Sequence, residues 1–469
     1  MPTLLHCPHA TLRAIFTSTV LLLAACSPVS EFQRPEPPIP KAWPITDGKR
    51  GKTDATNTHW RTFFRDPRLH SLIETALEHN RDLRIAVARV EEARAQYGIA
   101  RTDRLPAVNL VGSATIARTP SELSGVGNPS NSQRYDLSLA TVSFELDFWG
   151  RLSGQSEVAR AGYLATQEAQ RAVHLTLVAD VASAYFNLLQ MDELLSFAQA
   201  NVELHEESLA LTAKGHALGA VGDAELQQVA GLLEESRGSV AAMEHQRSIA
   251  ITRLHLLTGT VPEQLPPGRT LSEQGIETEL ITGVPSEVLL MRPDVIASEQ
   301  RLLAAHANIG AARAAFLPKI LLSTGLGIAS QGLAGLFSSG GAWSFQPSIS
   351  LPLFDGGRVA ANVDVAEARK IIAVAEYERT LQQAFREVAD LLSARSALTK
   401  QLAASISYRD SQKRRLEIAQ GRFVSGMISY VEVLHGQGEL IAARQSTAQL
   451  RHAQLATAAQ LYKALGGGG

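Results

Sequence analysis

The sequence predicts a mainly α-helical fold with a β portion, written as two structural repeats. Three observations carry this. The stretch Arg104–Arg151 holds two alternating apolar/polar segments and closes on Phe144-Glu145-Leu146-Asp147-Phe148-Trp149-Gly150-Arg151; a near copy opens at Leu317-Pro318 and closes on Leu351-Pro352-Leu353-Phe354-Asp355-Gly356-Gly357-Arg358. Each copy is followed by a long Ala-rich helical pattern without proline and then by a returning helix. The copies also keep a fixed offset. Leu105-Pro106 recurs 212 positions on, and Gly150-Arg151, Gly219, Leu254 and Gly259 recur 207 positions on as Gly357-Arg358, Gly426, Leu461 and Gly466. An offset held over such distances marks a duplicated domain half, and its period is far longer than that of a solenoid.

The chain begins with residues 1–25, which read as a signal peptide: Arg13, then an apolar core from Ile15 to Ala25. Leu-Ala-Ala-Cys at the cut region looks like a bacterial lipobox with Cys26 as the acylated residue; an ordinary signal peptide with an incidental cysteine is the alternative. The only other cysteine is Cys7, so neither a disulfide nor a cysteine metal site is expected. Residues 26–58 read as a lipid-anchored extended linker, since Arg34-Pro35-Glu36-Pro37-Pro38-Ile39-Pro40 favours extended backbone. Gly51-Lys52-Thr53 mimics a phosphate-loop end, but position 46 is Thr46 rather than glycine, and that reading is rejected.

The first repeat spans 59–259. Leu69, Leu72, Ile73, Ala76 and Leu77 share a helical face, and a second helix runs from Arg81 to Arg104, stopping before Pro106. Strands follow at about 107–117 and 134–146, separated by a polar loop. Along the second, the apolar phase shifts from Tyr135, Leu137 and Leu139 to Val142, Phe144, Leu146 and Phe148, which suggests a bulge. A helix from Arg151 to Lys214, the turn Gly215–Gly222 and a return through Leu226–Leu257 make a helical hairpin. A 65-residue helix is roughly 95 Å long, and such length argues for coiled-coil-like packing. Residues 260–291 form a connector broken by Pro262, Pro266, Pro267, Gly268 and Pro285, expected to pack as an equatorial girdle. The second repeat, 292–466, carries strands at about 319–330 and 344–354, a helix from Arg358 to Arg422, the turn Val424–Ser429 and a return through Val433–Leu465; 467–469 is a tail.

The strands have the length of tilted bilayer-spanning strands, about 9–11 residues. On pattern alone a small soluble sheet is an equal alternative. Outside the N-terminus no unbroken run of 18 apolar residues occurs, so no transmembrane helix is expected. A net charge of −2 without a basic stripe disfavours nucleic acid as a partner. No catalytic motif is found and the 13 histidines are scattered, so no enzyme activity and no metal site are expected.

Trp60-Arg61-Thr62-Phe63-Phe64-Arg65-Asp66-Pro67, Asn80-Arg81-Asp82-Leu83, Val90-Glu91-Glu92-Ala93-Arg94, the Phe144–Arg151 motif and Pro285-Ser286-Glu287-Val288-Leu289-Leu290-Met291-Arg292-Pro293-Asp294 together resemble the outer membrane factors (TolC-like) of tripartite efflux systems. The resemblance is greatest to the lipoprotein subfamily that works with resistance-nodulation-division pumps, and it covers nearly the whole mature chain. It implies a homotrimer in the bacterial outer membrane. Each chain would give four strands to a shared 12-stranded β-barrel and its helical hairpins to a periplasmic α-barrel. It implies a passive exit duct for drugs and other amphiphilic molecules, with a periplasmic adaptor (membrane fusion protein), an inner-membrane pump and outer membrane lipid as partners. No cofactor is implied beyond covalent lipid on Cys26. Independently of the resemblance, four strands cannot close a barrel, and open edges are not tolerated in lipid, so at least two chains are needed. A protein-export (type I secretion) duct and a non-channel structural envelope lipoprotein are the rival readings.

The resemblance also places the closing gate and adaptor contact at the hairpin turns. In the first these are Gly219, Ala220, Val221 and Gly222; in the second, Val424, Gly426, Met427, Ile428 and Glu432. Many relatives carry an acidic residue just after the second glycine. Met427 and Ile428 stand there in this chain, so the expected constriction is apolar, with Glu432 a turn further in. The loops Ser121–Gln133 and Ser330–Ala342 are expected to be extracellular.

Overall fold

The structure, a computed structural model, describes residues 32–44, 53–54, 58–123, 129–260, 265–276, 280–281, 285–338 and 341–467. The signal peptide and Cys26 lie outside the described residues, as do parts of the linker, the connector and both strand-pair loops. In chain order the elements are β1 (Thr53–Asp54), α1 (Trp60–Phe63), α2 (Pro67–His79), α3 (Arg81–Thr102), β2 (Asn109–Thr119), β3 (Ser130–Glu145), α4 (Arg151–Ala217) and α5 (Asp223–Thr258). Then come β4 (Leu280–Ile281), α6 (Pro285–Leu289), α7 (Pro293–Ala314), β5 (Lys319–Ser330), β6 (Gly341–Ser350), α8 (Arg358–Val424) and α9 (Tyr430–Ala464). The chain divides into two compact units. The first comprises residues up to 36, 90–165 and 298–377; the second comprises 37–89, 166–297 and 378–469.

In the first unit β2, β3, β5 and β6 form one antiparallel sheet in that order. Two motifs end the strands and start the long helices. The Asp147 carboxylate accepts the N–H groups of Leu152 and Ser153 at 2.9 and 2.7 Å. Asp355 accepts those of Gly357 and Val359 at 3.0 and 2.8 Å. Each satisfies orphan donors of a helix N-terminus. Glu145 holds Arg151 through two hydrogen bonds of 2.7 Å, and the Trp149 indole donates to the Pro318 carbonyl at 2.7 Å, tying one repeat to the other. The linker docks on its own chain here: Arg34 pairs with Glu299 at 2.6 Å and Phe32 meets the edge of His306.

The second unit is built on an aromatic core. Phe63 stacks on Tyr462 with centroids 4.7 Å apart, and Phe64 and Phe186 pack beside them. Trp43 of the linker is buried against Phe385. Asp66 caps α2 by accepting the Arg68 N–H, with Pro67 at the first helical position. The same buried carboxylate accepts the Tyr185 hydroxyl at 2.9 Å, the Arg269 N–H at 3.1 Å and the Gln274 amide at 2.6 Å, so one side chain fastens α2, α4 and the connector together. Gly259 ends α5 at φ 71°, and a Cβ there would overlap the His79 carbonyl.

The repeat is visible in backbone conformation. The glycine pairs 150/357, 219/426 and 259/466 all have positive φ, the left-handed region that glycine enters without steric cost. Element ends differ from the sequence reading in interpretable ways. The fourth strand stops at Ser350 rather than 354 because Pro352 cannot donate to a ladder. The second strand begins at Ser130, inside the expected loop, because polar residues 130–133 pair with 116–119. The first strand is shifted to 109–119. The long helices run on to Ala217 and Val424, carried to the glycine caps. α4 holds an 18-residue stretch long and apolar enough on average to cross a membrane, although no unbroken apolar run exists. That stretch is 56% buried within the protein, and α4 puts Val178, Val181, Ala182, Tyr185 and Phe186 into the core.

Candidate functional site

Two places carry function-bearing geometry: the sheet of the first unit and the second hairpin turn of the second unit.

In the sheet, register aligns side chains across all four strands. Leu110, Leu139, Leu326 and Trp343 form one row, and Gly112, Leu137, Ile328 and Gly341 the next. Thr141, Thr324 and Phe345, then Phe144, Leu322 and Pro347, continue that face. The opposite face carries Asn109, Ser113, Thr115, Arg134, Asp136, Ser138, Ser344 and Gln346, with Arg134 and Asp136 joined at 2.8 Å. The phase shift in β3 is a bulge between Thr141 and Phe144, centred on Ser143 at φ 53°. Without it a one-residue slip would turn Phe144 to the polar face.

Neither face is covered among the described residues. β2 is exposed along its length except at Thr119, and β6 except at Ala342. Leu110, Leu326, Trp343 and Ile349 are each about 70% or more exposed. A soluble sheet buries one face on a core. This one shows an uncovered apolar face, an uncovered polar face and two edge strands paired on one side only, a form suited to lipid outside and water inside once the edges are met. Both hairpin loops leave the same end of the sheet, because Thr119 pairs with Ser130 and Ile328 with Gly341. The four helix junctions leave the other end, beside Asn109, Glu145, Lys319 and Ser350.

The two hairpin turns are built alike. Gly219 donates to the His216 carbonyl and Ala220 to Gly215; Gly426 donates to Phe423 and Met427 to Arg422. Each is a Schellman cap with glycine in the left-handed conformation, at φ 72° and 71°. In the first turn Gly219, Ala220 and Gly222 are exposed and Val221 is half-buried, packed so closely on Gly215 that a Cβ there would clash. In the second turn Val424 and Met427 stand 85% and 70% exposed, whereas Ile428 is half-buried. Glu432 is exposed, and its N–H donates to the Ser429 carbonyl at 3.2 Å.

A contact just beyond the second turn was not legible in the sequence. The Tyr430 hydroxyl donates to Glu207 of α4 at 2.5 Å, across 223 residues of chain. This bond to the carboxylate, with partial burial, pushes the Tyr430 phenol up to about 12, so it stays a donor at any physiological pH. The ring packs on Phe423 and on the buried Leu204, Leu434 and Ile441, with Phe197 and Ala200 against the same cluster. The equivalent position in the first hairpin, 207 residues earlier, is Asp223, which has no ring or hydroxyl. The latch therefore belongs to the second hairpin alone. Beside it a cleft of about 680 Å³ opens among α4, α5 and α9, with His205, Glu225, His435 and Glu439 on its walls. Among the described residues no group of three His, Cys, Asp or Glu side chains is placed to hold a metal ion.

With this geometry in view, comparison with known proteins gives a consistent result. The family model described as "Outer membrane efflux protein" matches residues 72–260 and 284–467. The chain is 39% identical over 454 residues to the cation efflux system protein CusC of Escherichia coli strain K12, covering 96% of this chain and 97% of that one. A crystal structure of CusC superposes with a TM-score of 0.80 at 38% identity, covering 94% of this chain and all of the other. The toluene efflux pump outer membrane protein TtgI of Pseudomonas putida is 39% identical over 456 residues, covering 96% and 97% of the two chains. A probable outer membrane lipoprotein, SilC of Salmonella typhimurium, is 38% identical over 470 residues, covering 97% and 99%.

Proposed function

Because the chain belongs to the outer membrane efflux protein family, we propose that it serves as the outer membrane exit duct of a tripartite pump, assembled as a homotrimer. Its fold is TolC-like and its place is the outer membrane. Three copies of the four-stranded sheet make twelve strands and leave no edge. The apolar rows then face lipid, the Arg134–Asp136 face lines water, and the helical hairpins form the periplasmic tunnel. The strand ends Thr119, Ser130, Ser330 and Gly341 lie at the end of the sheet away from the helix junctions, which supports an extracellular place for the loops expected at Ser121–Gln133 and Ser330–Ala342.

The single observation that carries this reading is the uncovered two-faced sheet. A structural envelope lipoprotein has no use for it. A protein-export duct could share it, but the named relatives are efflux proteins. A periplasmic adaptor and an inner-membrane resistance-nodulation-division pump are the partners, and the pump supplies the energy. The cleft among α4, α5 and α9 is a place where adaptor helices can dock. The cargo is drugs and other amphiphilic small molecules. Two relatives are named for different cargoes, a cation and toluene, which suits a duct that leaves selection to its pump. Lipid on Cys26 anchors the mature N-terminus, a reading supported by the lipoprotein name of SilC. Purified full-length protein in planar bilayers is expected to give discrete single-channel steps with low resting conductance; a protein that binds membranes without conducting overturns the duct.

A further inference from the structure

A second cleft, of about 240 Å³, lies in the second unit among α4, α8, α9 and the 3₁₀ turn Leu271–Glu273. It belongs neither to the sheet nor to the hairpin turns. Its walls are apolar: Phe197, Leu271, Leu402 and Ile406. Three arginines edge it, Arg409, Arg444 and Arg451, and their situations differ. Arg409 is neutralised by Asp410 at 2.7 Å. Arg451 donates to the Gln454 side chain at 2.9 Å and to the Ser272 carbonyl at 3.2 Å, both uncharged, and its Nε is buried with no acceptor among the described residues. Arg444 is exposed and has no ion pair or hydrogen bond among the described residues.

The one carboxyl on the lining is Glu193. Burial raises it toward its neutral form, against a smaller opposing pull from the Leu271 N–H. Arg444 and Arg451 thus put two guanidinium charges beside an apolar slot that has one carboxyl, Glu193, on its lining. A cationic guest would be repelled by Arg444 and Arg451, and a bare inorganic anion would leave Phe197, Leu402 and Ile406 wet. A guest with an anionic head and an apolar body meets both needs, since guanidinium binds carboxylate and sulfate through charge-assisted, often bidentate bonds.

We propose that this cleft is a binding site for an anionic amphiphile, with a single carboxylate or sulfate head held by Arg444 and Arg451 and a short alkyl body against Phe197, Leu402 and Ile406. With about 30 Å³ for each water-sized group, the volume takes a body of about eight such groups. The proposal does not rest on the duct reading.

The test uses the full-length protein in lipid nanodiscs and a photoreactive diazirine derivative of octanoate, with adducts mapped by mass spectrometry. Adducts are expected on 193–197 and 402–406, protected by excess octyl sulfate and not by octyltrimethylammonium. Arg444→Glu and Ile406→Glu, both at exposed positions, are each expected to cut labelling about tenfold. Arg386→Glu, elsewhere on α8, should leave it unchanged. Labelling that survives both glutamate variants, equal protection by the cationic competitor, or adducts confined to the strands overturns the site.

Discussion

Asp66 shows how much one side chain can hold. It is fully buried, and burial alone would raise its pKa; hydrogen bonds from Gln274, Arg269, Tyr185 and Arg68 outweigh that and hold the carboxyl below its usual range. A carboxylate depressed in the folded state stabilises the fold above its unfolded pKa of about 3.9 and loses that contribution as pH falls through the lower folded value. The apparent Tm should therefore be flat from pH 7 to about 5 and fall below about pH 4. Asp66→Asn should lower the Tm at neutral pH, since hydrogen bonds to a charged group contribute about 1.5–3 kcal/mol, and should flatten the acid limb. An unchanged acid limb in the variant would move the acid sensitivity to another group. Tyr185, whose phenol is raised by burial and by the neighbouring Asp66 charge, remains a donor throughout.

At the scale of the element, the second hairpin turn combines a glycine cap with a single hydrogen-bonded contact between helices. The Schellman geometry fixes the turn, and the Tyr430–Glu207 bond fastens the start of α9 to α4. Tyr430→Phe keeps the ring on Leu204, Leu434 and Ile441 and removes only the hydroxyl, so a rise in resting conductance in bilayers would report the bond itself. If Tyr430→Phe and Glu207→Gln both keep wild-type closed-state conductance, the latch is packing alone. The turn residues test a different matter, the chemistry of the constriction. Ile428→Asp is expected to raise resting conductance, and Glu432→Gln to change mainly cation preference. Val424 and Met427 are more exposed than Ile428, so Met427→Asp is the companion test of an apolar constriction. Should Glu432→Gln open the channel while Ile428→Asp does nothing, closure is governed by the acidic position.

At the scale of the whole molecule, the proposed lipid on Cys26 is open to a direct test. Cys26→Ser should abolish incorporation of radiolabelled palmitate; unchanged labelling removes the lipid anchor. The duplicated architecture was legible in the sequence because it is written in local signals. The paired glycines demand positive φ, Pro106 and Pro318 mark where helix gives way to strand, and the apolar phase of β3 announces its bulge. Strand ends were less legible, because Ser130–Gln133 has loop composition yet pairs in the ladder once β2 is opposite. The latch and the Asp66 clasp were illegible for a different reason. Glu207 with Tyr430, and Asp66 with Gln274, are more than 200 residues apart, and neither member is distinguished from an ordinary surface or capping residue until the fold brings them together.

The duct stands or falls with the two-faced sheet, and adjacent positions of β3 test it directly. Ser138 lies on the polar face and Leu139 on the apolar face. The measurement is single-channel conductance of the purified Ser138→Cys and Leu139→Cys proteins in planar bilayers, before and after an impermeant charged thiol reagent. Current should fall stepwise in Ser138→Cys and stay unchanged in Leu139→Cys. Block in Leu139→Cys with none in Ser138→Cys, or equal reaction at both, would contradict a barrel with lipid on one face and water on the other.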